Sequence, residues 1–164
     1  MNSQFQALYF RARQNEISWR DFMENLKKIG DFSEDLREAI REQMTVGDKD
    51  AITRLVHFAY LTKLNNFAPL FCELLDNYRG DGYMEEIADL AFSLADPRMV
   101  PSIIRALDYT VGGDDDNHFN RKLVQALGRI GTAEAIEGLK LAAQSPFELV
   151  REEAEEELRR RSLA

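Results

Sequence analysis

The chain of 164 residues holds one cysteine, Cys72, so no disulfide can form within it and the class of small disulfide-stapled secreted domains is excluded. It holds two histidines, His57 and His118, far apart and neither with another His or Cys one helical turn away. No zinc-type ligand set follows from that spacing. No uncharged apolar run approaches the roughly 18 residues that a membrane span needs. The opening MNSQFQALYFRARQNE lacks a cationic segment ahead of an apolar one, so a cytoplasmic protein without a membrane partner is expected. Cations are short as well. Lys and Arg number 21 against 29 Asp and Glu, and the net charge of -8 repels phosphate backbones, which argues against nucleic acid as partner. There is no GxxxxGK[ST], GxGxxG, GxSxG or HExxH, so phosphate-cradling, dinucleotide and hydrolase chemistry has no starting point and no catalytic, cofactor or metal residue is expected.

What is present is enough to fold. Hydrophobic residues make up 45% and charged residues 30%, which suits a domain with a real core and a solvated exterior. Apolar residues recur at three- and four-residue spacings almost everywhere, and no stretch sustains the alternation of a strand. The expectation is an all-α protein with helices near 3–15, 18–29, 33–45, 48–64, 66–78, 83–94, 97–110, 117–130, 132–144 and 146–161. Ser18, Ser33, Asp48, Asp96, Asp116 and Thr132 stand where a side-chain oxygen caps a helix, and Pro97 and Pro146 fall at first helical positions.

The helical pattern repeats. Ile52, Val56, Ala59 and Tyr60, followed by Phe67, Ala68, Phe71, Cys72 and Leu75, map 32 residues on to Met84, Ala88, Ala91 and Phe92, then Met99, Val100, Ile103, Ile104 and Leu107. The next copy is Phe119, Leu123, Ala126 and Leu127, then Ala135, Ile136, Leu139 and Ala143, with Lys140 breaking the match to Ile104. Val150, Ala154 and Leu158 begin a final half copy. Size class is kept as well as polarity, because a small Ala recurs at 59, 91 and 126 beside a bulky neighbour.

Val124 to Ala142, VQALGRIGTAEAIEGLKLA, resembles the HEAT-like repeat of bacterial proteins, and Val150-Arg151 before Ala154 resembles the opening of another copy. Ala91 to Ile104, AFSLADPRMVPSII, is a degenerate version with an Asp-Pro turn. The resemblance implies a right-handed α-α superhelix, a HEAT-like solenoid over 48–164. Residues 1–47 do not fit the template and are expected to form an irregular helical N-terminal cap, with Trp19 in its core.

Stacked hairpins line their second helices along one broad surface, which suits binding of macromolecules. In this register the outer stripe of those helices holds Glu73 and Asn77, then Arg98, Ser102, Arg105 and Tyr109, then Glu134 and Glu137. These are the candidate partner-binding residues, since Arg and Tyr combine contact area with directional hydrogen bonds. Residues 48–164 carry 14 cations and 21 acids, so a basic protein would be steered toward them. The expected function is therefore a non-catalytic protein-binding module, its sharpest form a HEAT-like immunity protein that neutralises a basic toxin. HEAT-like repeats also occur in bilin lyases and DNA glycosylases, so an enzyme or enzyme subunit is the alternative, and a structural adaptor in a larger assembly is another. The run Asp114-Asp115-Asp116 lacks the glycine and closing glutamate of a calcium loop and reads as a solvated cap. Cys72 lies on the apolar stripe and reads as a small buried hydrophobe.

Overall fold

A computed structural model describes residues 3–62, 66–77, 84–109 and 116–162. Every regular element among them is helical: α1 Ser3–Arg13, α2 Trp19–Leu26, α3 Ser33–Val46, α4 Lys49–Thr62, α5 Ala68–Asn77, α6 Met84–Leu94, α7 Val100–Ala106, α8 His118–Ile130, α9 Ala133–Ala142 and α10 Glu148–Ser162, with a 3-10 turn at Pro97–Met99 before α7. Their ends follow cap chemistry. The Ser18 hydroxyl accepts from the Asp21 amide while the Asp21 carboxylate accepts from the Ser18 amide, a reciprocal box that satisfies two otherwise orphaned donors. Asp48, Asp96 and Thr132 accept from the amides of Ala51, Arg98 and Ala135. Two expected caps and one expected first helical residue differ. Phe32 occupies the cap of α3 while Asp31 accepts from the Ser33 amide, and Asn117, not Asp116, precedes α8 in a left-handed conformation. Pro146 lies outside α10, whose approach is turned by the Ser145 hydroxyl accepting from the Phe147 amide.

The chain divides into two compact units, one through Asn65 and one from Asn66. In the first, Phe5 and Phe22 are fully buried and meet at 5.8 Å nearly edge to face, and Phe58 of α4 closes on Phe22 at 5.6 Å. Trp19 stands edge-on to Phe22 at 5.5 Å and is half-buried, with the Arg54 guanidinium 5.7 Å above its ring. Leu36 and Ile40 of α3 pack with α4, which buries Ile52, Leu55 and Val56. The helix expected to open the repeats thus shares a core with the N-terminal helices, because its apolar side chains fill the gap beside their aromatic cluster.

In the second unit α6 packs on α8 and α8 on α10, while α5 packs on α7 and α7 on α9. Met84, Ala88 and Ala91 of α6 are buried, as are their counterparts Phe119, Leu123 and Ala126 of α8, and Val150 and Ala154 of α10. Alanines at these contacts let backbones approach. Gly138 of α9 acts similarly, since a Cβ there would fall 2.9 Å from Ile104 Cγ1 and 3.0 Å from Leu127 Cδ1. Gly131 ends α8 in the left-handed region at φ 69°, where a side chain would be strained. The Arg161 guanidinium of α10 donates to the Gly128 carbonyl near that same end. No helix among the described residues is long and apolar enough to cross a membrane.

Charge is divided unequally between the units. Through Asn65 the sequence has 10 Lys and Arg and 10 Asp and Glu, whereas from Asn66 it has 11 and 19, so the second unit carries the whole net charge of -8.

Candidate functional site

The candidate residues lie on α5, α7 and α9 and in the turns before and after them. Arg105 of α7 places Nε 3.0 Å from Asp76 Oδ1 and Nη2 2.8 Å from Asp76 Oδ2, a two-pronged contact that fixes its guanidinium plane. Ser102, one turn back, donates its hydroxyl to Asp76 Oδ2 at 3.0 Å and accepts from Arg105 Nη2 at 2.9 Å. Asp76, Ser102 and Arg105 therefore form a closed triangle between neighbouring helices α5 and α7. The Arg105 hydrogen bond holds the Asp76 carboxyl below the usual carboxylate range, with further help from the Ser102 hydroxyl against the opposing effect of burial.

Ser102 does not belong to an exposed stripe. It is 2% exposed, because it stands over Asp76 where α5 and α7 meet. Arg98 and Arg105 remain open to solvent, with side chains 57% and 55% exposed, so the tethers orient them without hiding them. Arg98 Nη2 meets Asp96 Oδ2 at 2.6 Å and Nη1 meets Asn66 Oδ1 at 3.0 Å, so this arginine links two turns of the unit. The Arg98 hydrogen bond likewise lowers the Asp96 carboxyl.

The remaining candidates are more dispersed. Asn77 donates to the Glu73 carbonyl at 3.0 Å and folds back along α5. Tyr109 is half-buried, and its carbonyl accepts from the Asn120 side chain at 3.0 Å. Asn120 also donates to the Leu107 carbonyl at 2.8 Å, which ties the end of α7 to the start of α8. On α9 both Glu134 and Glu137 are exposed, and Glu137 meets Lys140 at 2.7 Å. Beside them Leu141 is 55% exposed and lines a shallow hollow of about 230 Å³ with Ile104, Leu107 and Pro146.

The structure thus joins Ser102 with Arg105, and leaves Arg98, Glu134 and Glu137 as separate exposed charges. Asp76 was missed by the sequence reading. Its signal was available: the 32-residue register sets Arg105 at the place of Glu73, one turn from Asp76, so neighbouring units present opposite charges there.

Other chemistry-bearing side chains are scattered. Cys72 is half-buried, less enclosed than expected, with Sγ 3.7 Å from the Arg98 carbonyl to which it donates. His118 lies 3.6 Å from Asp116, and His57 is exposed 6.3 Å from the Tyr60 ring. Asp114 and Asp115 lie outside the described residues. Among the described residues no three His, Cys, Asp or Glu side chains group as metal ligands would. A search of protein-family models, curated proteins and solved structures finds no match to this chain.

Proposed function

We propose that the chain is a protein-binding module in which residues 66–164 form a short α-α superhelix of HEAT-like repeats and capture a basic partner on the face carrying α5, α7 and α9. The observation that carries this reading is the charge division: the unit with two rows of stacked helices holds the entire net charge of -8, and the other holds none. The rows α6, α8, α10 and α5, α7, α9 are the contacts that successive hairpins make in a solenoid. Equivalent burial at Met84 and Phe119, Ala88 and Leu123, and Ala91 and Ala126 supports the repeat register.

Exposed acids on such a face accelerate encounter with a cationic protein, and oriented arginines add directional contacts at its centre. Glu134 and Glu137 attract, while Arg98 and Arg105, already held by Asp96 and Asp76, lose little freedom on binding a carboxylate or carbonyl of the partner. A basic toxin held inactive by this protein is the narrowest form of the proposal. The test is affinity capture from the native cell with the wild type and with a Glu134→Lys, Glu137→Lys double variant. The wild type is expected to retain a basic protein that elutes with salt, and the variant to lose it at unchanged melting temperature. Retention of the same proteins by both would remove this face from consideration.

A further inference from the structure

In the first unit a groove of about 350 Å³ lies between α1 and α3, lined by Gln6, Tyr9, Phe10, Arg13, Gln43 and Val46 among others. Beneath its surface are two polar atoms without partners. Tyr9 Oη and Gln43 Oε1 are buried and make no hydrogen bond, although the residues are only 7% and 3% exposed. Burying such atoms unpaired is unfavourable, so a fold that keeps two in one groove leaves a stabilisation for something else to supply.

The orientation of Tyr9 is set by its ring, which stacks on Phe5 at 5.9 Å and meets Phe22 at 6.1 Å and Trp19 at 6.3 Å. The hydroxyl end lies instead near the charges of Arg13, Glu42 and Asp48. Arg13 does not satisfy it, because its guanidinium is held by the Asp48 carboxylate. Burial keeps the phenol protonated far above neutral pH, so it stays a donor. Gln43 offers the complementary carbonyl acceptor from the facing helix. The groove lining is mixed: Gln6, Gln14, Arg13 and Glu42 share it with Phe10 and Val46, whose 60% and 66% exposure gives it two apolar surfaces.

We infer that this groove binds a small neutral molecule with a flat apolar body and an amide, whose carbonyl accepts from the Tyr9 hydroxyl and whose N–H donates to Gln43 Oε1. A carboxylate has no donor for Gln43 and would face Glu42, and an ammonium has no acceptor for Tyr9. An amide carries donor and acceptor on separate atoms, which suits groups on different helices that do not bond each other. The volume accepts a molecule on the order of ten heavy atoms between the Phe10 and Val46 walls. Both polar atoms are covered in this conformation, so entry requires side chains of the lining to rotate aside, a motion open to surface residues on a picosecond to nanosecond scale.

The groove is lined by residues of the first unit alone, whereas the proposed protein-binding face belongs to the second. The probe is benzamide, titrated into the whole isotope-labelled chain and followed through backbone amide resonances, with ethylbenzene, slightly smaller, as the apolar control without an amide. Saturable shifts at Tyr9, Phe10, Gln43 and Val46 are expected with a millimolar dissociation constant, and ethylbenzene is expected to bind about tenfold more weakly. Tyr9→Phe and Gln43→Leu should each weaken benzamide by about tenfold and leave ethylbenzene unaffected. Absence of saturable shifts, equal binding of the two probes to the wild type, or undiminished benzamide binding by both folded variants would overturn the assignment. So would shifts at Phe10 and Val46 that depend on protein concentration without probe, since a second copy would then fill the groove.

Discussion

Removing the Asp76 carboxylate tests the packing of α5 against α7. The carboxylate receives two hydrogen bonds from Arg105 and one from Ser102. Arg105 rehydrates readily, so the cost falls on Ser102, which is 2% exposed and loses the acceptor of its hydroxyl. An orphaned hydroxyl of that kind costs about 1–3 kcal/mol, and Asp76→Ala should destabilise the second unit by about that much at neutral pH. Ser102→Ala alone should cost about 1 kcal/mol, whereas in the Asp76→Ala background it should cost little, because the hydroxyl then has no acceptor for its own proton and keeps only the bond it accepts from the exposed Arg105. Because the folded Asp76 pKa lies below its unfolded value near 3.9, its contribution is present above about pH 4 and lost as pH falls through the folded value. The gap between wild type and Asp76→Ala should therefore narrow in acid. The sole tryptophan, Trp19, reports only on the first unit, so urea unfolding must be followed by far-ultraviolet circular dichroism or by amide exchange in α5 and α7. Additive single-variant effects, within about 0.3 kcal/mol, would refute the triangle.

Two other substitutions probe the cores. Phe22→Ala removes a ring that touches Phe5, Trp19 and Phe58 and should cost about 3–5 kcal/mol, read as an earlier urea transition in Trp19 fluorescence. Asn120→Ala, at a residue 1% exposed, removes the side-chain donor to the Leu107 and Tyr109 carbonyls and should cost about 2 kcal/mol, with faster amide exchange at the end of α7 and little change in Trp19 fluorescence.

Helix positions were legible because their signals are local. Ser18, Asp48, Asp96 and Thr132 each accept from an amide two or three residues ahead, and such geometry depends on few other residues. Ser33 and Pro146 misled because Asp31 and Ser145 offered competing turns close by. Longer-range facts were less visible. Ile52, Val56 and Ala59 fit the repeat template and fit a core with α3 equally well, since both demand only an apolar stripe. The burial of Ser102 depended on Asp76, 26 positions earlier, and no periodicity distinguishes an exposed serine from one covered by a neighbouring helix. In the first unit, the unpartnered Tyr9 and Gln43 atoms are visible only once α1 and α3 are placed.

The bond from Arg161 to the Gly128 carbonyl bears on the order of synthesis. Translation delivers α8 and its turn at Gly131 well before it delivers the arginine that braces them. During that interval the Gly128 carbonyl must rely on water, and the apolar side of α8 destined for α10 stays open to solvent or to chaperones. Ribosome-stalled chains should accordingly gain protease resistance in α8 only when the last turn of α10 has left the exit tunnel.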